Sequence, residues 1–309
     1  MQETAEQTPT LLPLSLQKGD TIGLVAPAGP FDEEEFARGV QILDQYGFKL
    51  RIPRELATRH NYLAGQDRHR AAIFHEIWRD PEVKAVLAVR GGYGSLRILP
   101  AIDYQLLRLQ PKILIGFSDI TALHCAIFQQ TGLVTFHGPM VTTLAKSDRE
   151  SLLSFFDTIT SGSCRPITDQ ALEILKPGRA AGRLSGGNLT TLVHLLATPF
   201  EVSWRDRIVL LEDVGEAPYR IDRMLTQLKM AGRFAGIRGL ILGSFTNCGE
   251  REMIWARVLE LFNEEDLPIW GNFPSGHGNR NMIVPLGSEA VMDSAAATLS
   301  FPAPCCRVL

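Results

Sequence analysis

Residues 112–127, KILIGFSDITALHCAI, decide how the chain is read. Ile113 to Gly116 form a short apolar run suited to a strand buried on both faces. Ser118 follows at once, and Asp119 opens a helical run through Phe128. A serine on a sharp strand-to-helix turn has its hydroxyl pushed out of the sheet, beside a helix N-terminus that favours a developing oxyanion. The Asp119 backbone N–H is available for that role. A second reading makes Ser118 the helix cap, since Ser and Asp are both favoured there. The stretch reads GFSDI and not GxSxG, so a hydrolase elbow is expected in geometry without its last glycine.

Working outward, apolar runs bounded by turn residues predict further strands at 21–26, 49–52, 83–89 and 134–137. Between them, 33–46 and 66–78 carry apolar residues at near-helical spacing. The first of these has acids in its first turn and stops at Gly47. Strands that are apolar almost throughout, alternating with helices, predict a parallel sheet covered on both faces, with ligands beyond the carboxyl ends of its strands. From about Ser147 to Arg179 the pattern weakens around SGSC, Pro166, Pro177 and Gly178. The second half offers strands at 208–211 and 239–243, helices at 219–230 and 251–262, and short β-like runs near the end. The expected organisation is α/β throughout: an amino-terminal parallel-sheet domain (1–146), a linker (147–179) and a smaller carboxy-terminal α/β domain (180–309), with an active site between the two.

A length of 309 residues suits two domains. Hydrophobic content of 45% with 21% charged residues belongs to an ordinary folded protein and not a disordered one. The net charge is −3, and Lys and Arg are scattered, so nucleic acid is not an expected partner. Residues 1–18 lack a basic start, and their apolar patch is broken by Pro13, which fits neither a signal peptide nor a membrane span; the expected location is the cytoplasm. Five cysteines without a CxxC pair suggest neither disulfides nor a zinc site. Cys125, in an apolar helical run, reads as core before nucleophile.

Three further features carry chemistry. VLAVRGGYGSLRIL (86–99) is a strand running into a glycine loop, where the N–H of Gly91 or Gly92 would complete an oxyanion hole with that of Asp119. The loop lacks the spacing and lysine of a phosphate cradle. Arg90 beside it reads either as a fork for a substrate carboxylate or as an interdomain salt bridge. Glu212 ends an apolar strand, where a buried acid needs a partner, and Glu216 is a reserve for the same role. His277 lies in a loop of small residues, PSGHGNRN, and His137, in TFHGPM, is the rival base. A hydroxyl nucleophile needs a base, and the base needs an orienting group within hydrogen-bond reach.

Taken together, GLVAPAGP, YLAGQDRHR, VRGGYGSLRILPAID, GFSDITAL, FHGPM, GGNLTTL, LLEDVGEAPYRIDRML, ILGSFTNC and SGHGNRN span almost the whole chain. In that order they resemble the L,D-carboxypeptidase family, serine peptidases that include muramoyl-tetrapeptide carboxypeptidases and the microcin C immunity peptidase. The resemblance implies Ser118 as nucleophile, Glu212 as orienting acid and His277 as general base. It implies an oxyanion hole from Asp119 and Gly92, and substrate contacts by Arg90, Gly91, Tyr93 and Asn188. The implied reaction hydrolyses the L,D bond to the terminal D-alanine of a murein tetrapeptide in wall recycling, and calls for neither metal nor organic cofactor. Family members are often homodimers. The alternatives are a microcin C-like aminoacyl-nucleotide substrate and a non-catalytic peptide-binding protein.

Overall fold

Successive residues of a strand face opposite sides of its sheet, so an apolar run with no polar alternation demands cover on both. The computed structural model describes residues 9–308. In chain order its strands are β1 (Thr21–Val25), β2 (Lys49–Arg51), β3 (Val83–Ala88), β4 (Ile113–Gly116), β5 (Thr135–His137), β6 (Glu173–Lys176), β7 (Arg179–Asn188), β8 (Arg207–Val214), β9 (Gly239–Thr246), β10 (Ile269–Gly271), β11 (Val284–Leu286), β12 (Glu289–Asp293) and β13 (Thr298–Ser300). On β3, Ala85 and Leu87 enter one apolar cluster while Val86 and Ala88 enter the other. Both clusters continue into the second sheet, where Leu210 and Leu211 of β8 divide in the same way.

The first sheet is six-stranded, in the order β11-β5-β4-β3-β1-β2. β1 to β5 pair in parallel as the alternation predicted, and β11, from the far end of the chain, closes one edge antiparallel to β5. The second sheet is seven-stranded, in the order β13-β12-β7-β8-β9-β10-β6. Its centre, β7 to β10, is parallel, while β6 pairs antiparallel at one edge and β12 and then β13 add antiparallel at the other. The α/β class read from the sequence holds in both sheets. No helix among the described residues is long and apolar enough to cross a membrane.

Residues 147–179 hold more than a connection. Helix Arg149–Ser161 starts at Asp148, whose carboxylate accepts from Ser151 N at 2.8 Å, and ends at Gly162 in the left-handed conformation. Its apolar residues Leu152, Phe155, Phe156 and Ile159 keep helical spacing; the glycine and prolines that suggested a break lie after it. β6 follows as the outer edge of the second sheet. β7, RAAGRLSGGN, carries few residues that favour strands, and its place is set by pairing with β8 and β12.

Helix Thr121–Thr131 positions the site. Nearly all of it is buried, because it packs against β5, β7, helix Tyr104–Leu109 and helix Leu189–His194. Thr121 Oγ1 accepts from Asn188 N at 3.0 Å, fastening the start of this helix to the end of β7.

Candidate active site

β4 stops at Gly116, Phe117 is extended, and Ser118 takes φ +62° in the left-handed region before a 3-10 turn, Ser118–Ile120, leads into the helix. For a serine such a conformation costs about 1–3 kcal/mol, and it persists only where the surroundings impose it. Helix Thr121–Thr131 takes Ile120 at its cap position without a side-chain cap, so capping does not account for Ser118. Its hydroxyl instead faces His277.

The glycine loop after β3 lies directly on this turn. A Cβ on Gly91 would come within 2.9 Å of Ser118 Cβ and 3.2 Å of its Oγ, so the approach requires glycine. The Asp119 carboxylate accepts from Ser95 N at 2.8 Å and ties the far end of the loop to the serine turn. Burial pushes that carboxyl up, against the backbone N–H groups of Ser95 and Gly94 that favour its charge. Behind the loop, Gly29 N donates to Gly91 O at 3.1 Å. The candidates Gly91, Ser118 and Asp119 are thus one packed unit, with Gly92 against Gly29 behind them.

From the second sheet come the other two groups. Glu212, on β8 opposite Asn188, is fully buried. His277 sits in the loop between β10 and β11. Its Nδ1 is 2.5 Å from Glu212 Oε2, and its Nε2 is 3.0 Å from Ser118 Oγ. With the Nδ1–H donating to the carboxylate, the Nε2 lone pair is left to accept from the hydroxyl. Burial opposes charge on the imidazole, but the hydrogen bond and negative charge of Glu212 outweigh it, and the His277 pKa is raised. Burial likewise pushes the Glu212 carboxyl up, opposed by His277. The Phe117 ring meets His277 edge-on at 4.8 Å and limits its swing. Gly276, at φ +114°, has no room for a side chain, since a Cβ there would sit 2.6 Å from Glu212 Oε2.

The remaining candidates separate clearly. Glu216 accepts from Arg220 at 3.5 Å on the surface and is not the acid on His277. His137 is buried on the opposite side of Glu212, 4.0 Å from Oε1, with its other nitrogen 3.2 Å from Ser275 Oγ. Burial first, then the neighbouring His124 and His277, holds its pKa down to about 3. Arg90 donates to the Pro30 carbonyl, within the first sheet's own loops, and not to a carboxylate across the two sheets. Tyr93 is exposed and tilts against Tyr62, ring centroids 5.8 Å apart. Asn188 was expected at the substrate, yet it is buried and its amide is committed. Nδ2 donates to Asp213 Oδ1 at 3.0 Å, and Oδ1 accepts from Thr191 N at 3.0 Å as the cap of helix Leu189–His194. All five cysteines are unpaired and buried, and burial lifts the Cys125 thiol to about 12, which removes it as a nucleophile.

Several supporting residues escaped the sequence reading. Asp213, next to Glu212, accepts from Asn188, Thr190 N and Thr190 Oγ1, locking β8 to the helix after β7. Ser244 Oγ accepts from Gly278 N at 2.9 Å, and Asn281 Oδ1 accepts from Gly276 N at 3.0 Å. Arg280 reaches Asp148, Glu150 and Asp169 together. The only sequence signal for the last two was their place in PSGHGNRN. A cavity of about 960 Å³ borders helix Arg149–Ser161 and Arg280; none of Ser118, Glu212 or His277 lines it.

The chain matches two family models, the LD-carboxypeptidase N-terminal domain over residues 22–138 and the LD-carboxypeptidase C-terminal domain over residues 181–292. It is 41% identical over 300 residues to a probable murein peptide carboxypeptidase of Bacillus subtilis, covering 93% of this chain and 92% of that one. Among solved structures it is similar to muramoyltetrapeptide carboxypeptidase from Oxalobacter formigenes, with TM-score 0.79, 29% identity and coverage of 90% and 97%. It is also similar to the microcin C7 self-immunity protein MccF, with TM-score 0.90, 25% identity and coverage of 96% and 100%. The first model ends past Ser118 and the second spans Glu212 and His277, so the hydrogen-bonded chain bridges both matched segments, and the protein belongs to the LD-carboxypeptidase family of peptidases.

Proposed function

We propose that this peptidase is of the serine type and hydrolyses the L,D bond to the terminal D-alanine of murein tetrapeptides. The observation that carries the reading is the unbroken chain Ser118 Oγ, His277 Nε2, His277 Nδ1, Glu212 Oε2, at 3.0 and 2.5 Å. Ser118 Oγ attacks the carbonyl carbon as His277 Nε2 takes its proton. The N–H groups of Asp119 and Gly92 receive the oxyanion. The C–N bond breaks, His277 returns the proton to the departing D-alanine amine, and water activated by the same imidazole releases the acyl group from Ser118. Glu212 holds the imidazole tautomer and offsets its transient charge. Arg90, Gly91 and Tyr93 belong to the loop whose Gly91 packs against Ser118 and are the proposed substrate contacts, while Asn188 contributes by holding Asp213.

The same reading places the enzyme in the cytoplasm, working on peptides brought inward for wall recycling, as a homodimer. It divides the chain into lobes at 1–146 and 180–309, with the reaction between them. Likeness to MccF supports a second reading, an aminoacyl-nucleotide substrate of the microcin C type, attacked by the same triad.

Incubation of the purified chain with a murein tetrapeptide, followed by mass spectrometry for free D-alanine, tests the proposal. Release is expected from the wild type and its loss, by about 10⁴-fold or more, from Ser118→Ala and from His277→Ala. Turnover of the aminoacyl-nucleotide alone would select the second reading. A fluorophosphonate that labels the wild type no faster than Ser118→Ala would leave a peptide-binding protein instead.

A further inference from the structure

Two buried polar atoms next to the triad face each other without partners. Glu212 Oε1 and His137 Nε2 are both sealed from solvent, and neither has a hydrogen bond among the described residues. They lie 4.0 Å apart. A buried donor or acceptor left unmatched is costly, and two such atoms pointing at one another answer each other's need.

The backbone around His137 leaves it little freedom. It ends β5, pairs with Gly116 of β4 on one side and with Val284 of β11 on the other, and its side chain has no exposed surface. Its Nδ1 is 3.2 Å from Ser275 Oγ, itself fully buried. Two tautomers are available. With the proton on Nδ1, the Nε2 lone pair would point at a buried carboxylate, which is repulsive. With the Ser275 hydroxyl donating to Nδ1, the proton sits on Nε2 and points at Glu212 Oε1.

We propose that His137 is a positioning residue of the site, a neutral imidazole whose Nε2–H is directed at Glu212 Oε1, so that each carboxylate oxygen is held by its own histidine. The contact is longer than a hydrogen bond and closes with a shift of about 1 Å. The chain of groups then runs Ser118, His277, Glu212, His137, Ser275, and a single motif, SGHG, supplies both the base and the serine that sets the tautomer of the second histidine. The titratable groups facing His137 are Glu212 on β8, His277 in the 275–281 loop and His124 on helix Thr121–Thr131. Because burial and these two imidazoles keep it uncharged, His137 steadies the carboxylate without competing with His277 for its proton. The inference rests on the triad assignment above and extends it by one residue.

Nitrogen NMR of the histidine rings in the full-length wild type, over a pH series, reads the tautomer directly. The expected spectrum has His137 protonated at Nε2 and bare at Nδ1, with no titration between pH 5 and 8 on the general histidine scale. A proton on Nδ1, or a His137 that titrates in that window, overturns the proposal. In the tetrapeptide assay, His137→Leu should lower kcat by about 10- to 100-fold, the scale of a small misplacement of a catalytic group, with KM within about twofold. The acid limb of its kcat/KM profile should move to higher pH, because Glu212, stripped of its second donor, holds the His277 proton more tightly. His137→Gln, which restores an N–H near the Nε2 position, should recover most of both; a Gln variant as slow as Leu, or a folded Leu variant with unchanged kcat and limb, overturns the proposal. If Ser118→Ala retains turnover, the triad assignment fails, and the NMR tautomer still decides the role of His137.

Discussion

Ser118 and His277 meet at 3.0 Å, yet the two sides of that contact are held in different ways. The serine side is made by chain geometry: a buried strand, one residue in the left-handed conformation and a helix, all within a few positions of the hydroxyl. The histidine side is an irregular loop held by side chains from elsewhere. Gly276 N donates to Asn281, Gly278 N to Ser244, Asn281 N to Ser151, and Arg280 binds the acids of the helix start and of the segment before β6. A site built this way has one rigid partner, and its geometry is tuned at the other.

The comparison can be broken most sharply at the joint itself. Glu212→Gln keeps shape but favours the wrong imidazole tautomer, and kcat should fall by about 10³- to 10⁴-fold with the fold intact by circular dichroism. A smaller loss would mean that the loop orients His277 without the carboxylate. Next, Gly276→Ala forces a side chain against Glu212 Oε2 at a positive φ, and a loss of about 10²-fold in kcat is expected, the scale of a displacement near 1 Å. Asn281→Ala removes one tether and leaves the others; about tenfold lower kcat in the same assay is expected on that scale. If it equals wild type, the loop is stiffer than its irregular backbone implies.

The pH dependence sharpens the same contrast. In the proposed mechanism activity needs neutral His277 Nε2, and Glu212 raises the pKa of that imidazole above its ordinary value of 6.5. Kcat/KM should therefore fall as pH drops through a limb lying above 6.5, and a profile flat to pH 5 would contradict the pairing. The smallest effect belongs to Glu216→Gln: its carboxylate engages only surface Arg220, so kcat/KM should stay within about twofold of wild type, as for other exposed pairs.

Local periodicity revealed the parallel sheet, the strand-to-helix turn at Ser118 and the apolar run leading to Glu212, although that strand continues to Val214, because backbone and core preferences repeat every two or three to four residues. It missed helix Arg149–Ser161, although Leu152, Phe155, Phe156 and Ile159 stand at helical spacing, since the breakers after the helix dominated the reading of that stretch. It also missed β7, whose glycine-rich strand exists through its neighbours, and, for the short β-like runs near the end, it did not show that β11 joins a sheet more than a hundred residues behind it. The ordered motifs named Ser118, Glu212 and His277, but they left Glu216 and His137 as rivals. Only the folded chain removed Glu216 to the surface and set His137 behind Glu212. It also placed Asn188 as the buried cap of helix Leu189–His194. The meeting of Ser118 with His277, and of His137 with Ser275, joins residues more than a hundred positions apart, and hydrogen bonds across such separations have no signature in local sequence.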